Sequence, residues 1–321
     1  MKKLIAMLLA VAMCFAMLTG CGSSNENNDA SDSSVQTNAN AETAGNAETN
    51  GNASGVTTVA AGKLTVATSP DFAPYEFYSL DEDGTPTLAG FDIALANYIA
   101  DYLGLELEIV TVDFDGVLME LQTKSVDLGM AGLSPDPKRE NIMDFSDIYY
   151  QGGQSLVTVK DNADTITSTE DVNDPAFTVG AQIGSIQLDL ANEFTPNANI
   201  VSMPKVTDIV SELLTGKEDA AFIETDVAKC YQMIYPELEI VADVPYDQEG
   251  SAIGVCKDNP ELLAGVNEAI AAAIEDGSMA KYIEEANALA IGDKYEGLLD
   301  ENGNAPAETE DTSAEADTSA A

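Results

Sequence analysis

Arg139 is the only arginine in a chain of 321 residues that also contains no histidine and no tryptophan. It closes the loop Ser134-Pro135-Asp136-Pro137-Lys138-Arg139, which follows an apolar run at 126–133. A guanidinium is a rigid, permanently charged fork that grips a carboxylate with two parallel hydrogen bonds, which a lysine cannot reproduce. Arg139 is therefore the candidate holder of a ligand carboxylate. The competing reading is a surface ion pair with a nearby acid. Other chemistry is narrowed by what the chain lacks. Without histidine, triads that need an imidazole are excluded, and without histidine or clustered thiols no transition-metal site or cofactor is expected.

Net charge is −43. Between residues 62 and 293 there are 10 Lys and Arg against 43 Asp and Glu, a net charge of −33, which argues against nucleic acid or an anionic lipid surface as the partner. Lys2-Lys3, an apolar run at 4–18 and Leu18-Thr19-Gly20-Cys21 describe a secretory signal over 1–20, too short for a membrane span. That ending resembles a bacterial lipobox, which implies an acylated (palmitoylated) Cys21 holding the protein on the outer face of the cell membrane. Residues 21–61 are rich in Ser, Asn, Ala, Thr and Gly and read as a tether. The acidic tail 294–321 reads as disordered. Cys230 and Cys256 remain, on a helix and a strand assigned to different lobes, and are expected as buried free thiols.

Short apolar runs alternate with helical periodicity, which predicts an α/β chain. Residues 64–68 and 105–112 read as strands, with Leu95, Ile99 and Leu103 forming the apolar stripe of the helix between them. A second series follows, with strands at 177–181, 200–203 and 219–223 and helices at 185–194, 208–217 and 227–235. The chain closes with a strand at 251–256 and a helix at 260–276 started by Pro260. Two such series with a return segment predict two lobes, 62–153 plus 247–293 and 154–246, with ligand loops at the carboxyl ends of the strands.

Four stretches then align with one family: Ala67-Thr68-Ser69-Pro70-Asp71-Phe72-Ala73-Pro74-Tyr75-Glu76-Phe77, Gly90-Phe91-Asp92-Ile93, Gly132-Leu133-Ser134 through Arg139 followed by Asp144-Phe145-Ser146, and Asp219-Ala220-Ala221-Phe222-Ile223-Glu224. In order and spacing they resemble the polar-amino-acid solute-binding proteins that feed ABC importers. The resemblance implies a periplasmic-binding-protein-like fold in which two lobes close on a free amino acid. It further implies that Arg139 takes the α-carboxylate, helped by the Ser134 hydroxyl and by backbone amides at Ser185 and Ile186, where a helix N-terminus favours negative charge. Glu224 and the Gly132 carbonyl would receive the ammonium group, with Asp226 near enough to compete with Glu224. Phe72 and Phe114 would clamp the ligand's aliphatic body. Ser69, Tyr75, Asp136 and Gln182 are candidates for its side chain.

Each residue also has a plainer reading. Phe72 and Phe114 are core aromatics, although Phe114 lies in Asp113-Phe114-Asp115-Gly116, read here as a polar turn. Glu224 is a helix-start acid, and Ser134 a turn residue. Asp136 stands where the family usually has threonine, so it faces the ligand or pairs with Arg139. With no second arginine for a side-chain carboxylate, a polar or neutral amino acid, or a cationic one, is expected over glutamate or aspartate. The expected partners are an ABC permease with its ATPase, and the protein is expected to be a monomer and not an enzyme. The alternatives are a cyclohexadienyl-type dehydratase, with Glu224 or Asp136 as general acid, and a sensor without transport.

Overall fold

A computed structural model describes residues 56–81, 83–247 and 250–290. The expected signal, Cys21, most of the tether and the acidic tail lie outside the described residues.

The chain opens with β1 (Lys63–Thr68), the short strands β2 (Asp71–Phe72), β3 (Glu76–Leu80) and β4 (Pro86–Ala89), and helix α1 (Phe91–Leu103). Next come β5 (Glu106–Thr111), α2 (Phe114–Gln122), β6 (Leu128–Gly129), a 3-10 turn at Pro137–Arg139 and β7 (Met143–Phe145). The second series runs β8 (Gln154–Val159), β9 (Thr178–Gln182), α3 (Ile186–Phe194), β10 (Asn199–Met203), α4 (Val206–Leu214), β11 (Ala220–Glu224), α5 (Thr225–Ile234) and β12 (Leu238–Asp243). The return consists of β13 (Gly254–Cys256), α6 (Pro260–Glu275) and α7 (Ser278–Ala290).

The fold is two-lobed, and each lobe is built on one five-stranded sheet. The first has the order β5-β1-β6-β13-β7 and the second β10-β9-β11-β8-β12. β1 is parallel to both β5 and β6, and β9 to both β10 and β11. Parallel neighbours need crossover connections, which α1 and α2 supply in the first lobe and α3 and α4 in the second. β13 pairs antiparallel with β6 and β7, returning the chain to the first sheet. It is shorter than the sequence predicts, because 251 contributes only an isolated bridge to Tyr150.

Burial explains the patterns. β1 is buried along almost its whole length, as a central strand must be, while β5 alternates exposed and half-buried residues at an edge. Leu95, Ile99 and Leu103 are buried on α1, which ends on Gly104 in the left-handed conformation. Asn259 caps α6, with Pro260 in its first turn. One apolar cluster joins the lobes, running from Leu64 and Val66 through Phe72, Tyr75 and Tyr149 to Ile223, Val227 and Tyr231. Cys230 and Cys256 are both buried free thiols. Among the described residues no helix is long and apolar enough to cross a membrane.

Candidate functional site

Arg139 is 8% exposed, at the end of the 3-10 turn that leads into β7. The turn is set locally: Asp136 Oδ1 accepts the Lys138 amide at 2.9 Å, and Pro137 occupies the first turn. Asp136 thus serves as a cap, and none of the ion pairs found among the described residues includes Arg139. The guanidinium Nη2 donates to the Gly184 carbonyl of the other lobe at 2.9 Å, and Nη1 reaches the Ser134 carbonyl at 3.5 Å. Its Cζ stands 5.7 Å from the centroid of the Phe114 ring, within the range of a cation–π contact. Burial lowers the pKa of Arg139, opposed by Asp136 and Asp189, but a guanidinium stays charged at any working pH.

Phe114 corrects the sequence reading. Asp113-Phe114-Asp115-Gly116 is no polar turn but the first turn of α2, and Phe114 is buried among Val117, Leu121 and Leu133. The Phe72 ring is close enough to Gly132 that a Cβ there would meet it at 2.7 Å. Gly132 has φ +56°, a conformation that tolerates glycine best. Its amide donates to Asp92 Oδ2 at 3.2 Å.

Ser185 is the N-cap of α3: its hydroxyl accepts the Leu188 amide at 3.2 Å and donates to the Gln182 carbonyl at 2.7 Å. The Ser185 amide also points to the Gln182 carbonyl, at 3.3 Å, so the turn already uses one of the two amides expected to face an anion. Ile186 follows at the helix start, 8% exposed. The Gln182 side chain donates to the Pro204 carbonyl. Ser69 donates to Asp71, and Tyr75 is fully buried, packed against Phe72, Phe91 and Tyr150.

Glu224 ends β11 and caps α5. Oε2 accepts the Asp226 and Val227 amides at 2.7 and 2.8 Å, and Oε1 accepts the Gly153 amide at 3.2 Å. Burial pushes its carboxyl up to about 7, against the pull of those three N–H donors. A Cβ on Gly152 would meet Glu224 Oε1 at 2.7 Å and the Tyr75 hydroxyl at 2.8 Å, so bare backbone is needed beside the acid. Asp226 is committed elsewhere, to Lys229 at 2.8 Å and the Tyr150 hydroxyl at 2.6 Å.

Sequence reasoning missed Gln154 and Gln187. Both are buried, and Gln187 Nε2 donates to Gln154 Oε1 at 2.8 Å. Gln154 is the register partner of Glu224, so this pair links the α3 start to the acid. The two lie 33 residues apart in sequence, and no local pattern marks them. The first lobe thus carries a buried cation, Arg139, and the second a buried carboxyl, Glu224. Charges of opposite sign are what a zwitterion needs from its site.

Over residues 64–286 the chain matches the profile of the bacterial extracellular solute-binding proteins, family 3. It is 32% identical over 285 residues to the arginine-binding extracellular protein ArtP of Bacillus subtilis, spanning 88% of this chain and 96% of that protein. Among solved structures it is similar to the amino acid ABC transporter substrate-binding protein AbpA of Streptococcus pneumoniae bound to L-arginine. That likeness has a TM-score of 0.69 and 36% identity, and covers 72% of this chain and 97% of the other. A cyclohexadienyl dehydratase of Pseudomonas aeruginosa is 26% identical over 178 residues, which are 56% of this chain and 65% of that enzyme.

Proposed function

Because this chain belongs to the bacterial extracellular solute-binding proteins of family 3, we propose that its cleft captures a cationic amino acid, L-arginine first, and presents it to an ABC permease. Solute binding for ABC import is the role of the family. The choice of ligand rests on one observation. Among the described residues Arg139 is buried with carbonyl partners and a ring face, and every other buried Lys, Arg, Asp or Glu side chain is an acid. A ligand carboxylate gains a charged partner at Arg139, and a positive side chain gains from the acidic remainder; a second carboxylate finds no second cation. ArtP and the liganded AbpA structure, both associated with arginine, support the same choice.

In this reading Arg139, the Ser134 hydroxyl and the helix start at Ser185 and Ile186 take the carboxylate, while Glu224 and the Gly132 carbonyl take the ammonium group. Phe72 and Phe114 cover the aliphatic stem, and Gln182 and Ser69 meet the head of the side chain. A zwitterion leaving water regains that cost only from paired charges and directed hydrogen bonds. Since neither lobe supplies both ends, ligand favours the closed arrangement. The lobes are 62–153 plus 247–293 and 154–246, and the closed shape is what the permease reads. Acylated Cys21 and the 21–61 tether would hold this monomer at the outer face of the membrane.

No enzymatic step is part of this reading. Burial raises the Glu224 carboxyl to about 7, a range open to a general acid, so the choice against a dehydratase rests on the likeness to ArtP and AbpA, which extends over more of this chain than the likeness to the dehydratase. A thermal-shift screen of the twenty amino acids tests the assignment. L-arginine is expected to give the largest rise in melting temperature, ahead of L-lysine, L-histidine and L-glutamine, with no response to L-glutamate. A largest response to an acidic amino acid would refute it.

A further inference from the structure

Helix α4 has no side-chain cap of its own. Its N-cap position is held by Lys205, whose ammonium has only donors and cannot accept a helix N–H. The acceptor comes instead from the other lobe. Asp71, on β2 of the first lobe, accepts the Val206 amide with Oδ2 at 2.6 Å, while its Oδ1 accepts the Ser69 hydroxyl at 2.9 Å. The Asp71 carbonyl also accepts the hydroxyl of Tyr231, on α5 of the second lobe, at 3.1 Å. Asp71 is 8% exposed, and burial raises its carboxyl to about 6, against the pull of the Val206 bond. At neutral pH it is therefore a carboxylate at a helix N-terminus, where the backbone dipole favours negative charge.

We propose that Asp71 is a positioning residue for ligand binding: it caps α4 across the cleft and so holds the lobes closed, setting how long a captured amino acid stays. This inference rests on the amino-acid-binding reading above, but not on which amino acid is bound. An interlobe cap exists only when both lobes meet, so its free energy enters closure and not the stability of either lobe. Affinity then changes through the dissociation rate, because encounter with the open protein does not involve the cap.

The test is stopped-flow binding of L-arginine to the full chain and its variants, with the melting temperature of each ligand-free protein as control. Asp71→Ala is expected to raise the dissociation rate about tenfold, with an association rate within twofold of the parent and an unchanged ligand-free melting temperature. Val206→Pro removes the partner N–H while suiting the first helical position, since Lys205 before it is already extended. It is expected to act like Asp71→Ala, and the double variant to be no worse than either single one. An unchanged dissociation rate, fully additive effects, or a ligand-free melting temperature that falls in step with affinity overturns the proposal. If the parent ignores L-arginine, the arginine reading fails by itself. Pulsed dipolar distances between spin labels at Met119→Cys and Ser211→Cys then decide the cap without a ligand: Asp71→Ala must shift them toward separated lobes, and an unaltered distribution overturns it.

Discussion

The Arg139 guanidinium in the first lobe donates to the Gly184 carbonyl of the second at 2.9 Å, so the cation suited to a ligand carboxylate also ties the lobes together. Replacing it with alanine removes the partner of a buried charge and should cost about 3 to 5 kcal/mol of binding. Arg139→Lys keeps the charge and loses the fork, and should recover only part of that loss. Titration calorimetry with L-arginine checks both. A loss below tenfold for the alanine variant would count against the assignment.

Glu224 is expected to discriminate on the ammonium group. Glu224→Gln should weaken amino acids by about 1.5 to 3 kcal/mol, the scale of a hydrogen bond to a charged group, while leaving their deaminated analogues nearly unaffected. Competition binding of matched pairs reads this directly; equal weakening of both would contradict it.

How much of this was visible in the sequence depends on how local each contact is. Ser185 was legible as a helix start because an N-cap is a property of four consecutive residues, and the structure places it at the cap of α3. The α1 stripe of Leu95, Ile99 and Leu103 was legible from its period. The α4 start was misplaced by two residues because Lys205 gives no capping signal; the acceptor is Asp71, 135 residues away. Phe114 was misread for a related reason. Its flanking acids suggest a loop, yet Val117 and Leu121 on the same helical face bury it. The Gln154–Gln187 pair and the Asp92 contact to Gly132 depend on tertiary packing alone.

Glu218 provides a pH prediction for stability. It is 2% exposed, and burial, then Glu212, raises its carboxyl from 4.5 to about 8. The folded form therefore keeps a proton that the unfolded chain releases above 4.5. Its contribution to stability is full below that value and is lost as pH rises toward 8, on the order of a few kcal/mol. Glu218→Gln should raise the melting temperature at pH 8 more than at pH 5 and flatten the slope between them. Differential scanning calorimetry at the two pH values checks this; an unaltered slope would mean the carboxyl is not neutral in the folded state.

Asp92, fully buried beside Glu76 and Tyr149, is expected to act on binding through Gly132. Asp92→Ala leaves the Gly132 amide without its acceptor and should cost about 1 to 3 kcal/mol of affinity, whereas Asp92→Asn keeps an acceptor and should cost less. Glu76 is held well above the usual carboxylate range by burial and then by Asp92, and Glu76→Gln, which keeps its size, should lower the melting temperature less than Glu76→Ala. Calorimetry and thermal melts of the four variants separate the two roles.

The most direct measurement compares L-arginine with agmatine, the same molecule without its carboxylate, by titration calorimetry on the full chain. Agmatine is expected to bind at least a hundredfold more weakly than L-arginine, and Arg139→Ala to narrow this gap to less than tenfold. Agmatine binding as tightly as L-arginine, or a gap that survives the loss of Arg139, would contradict the carboxylate role of Arg139.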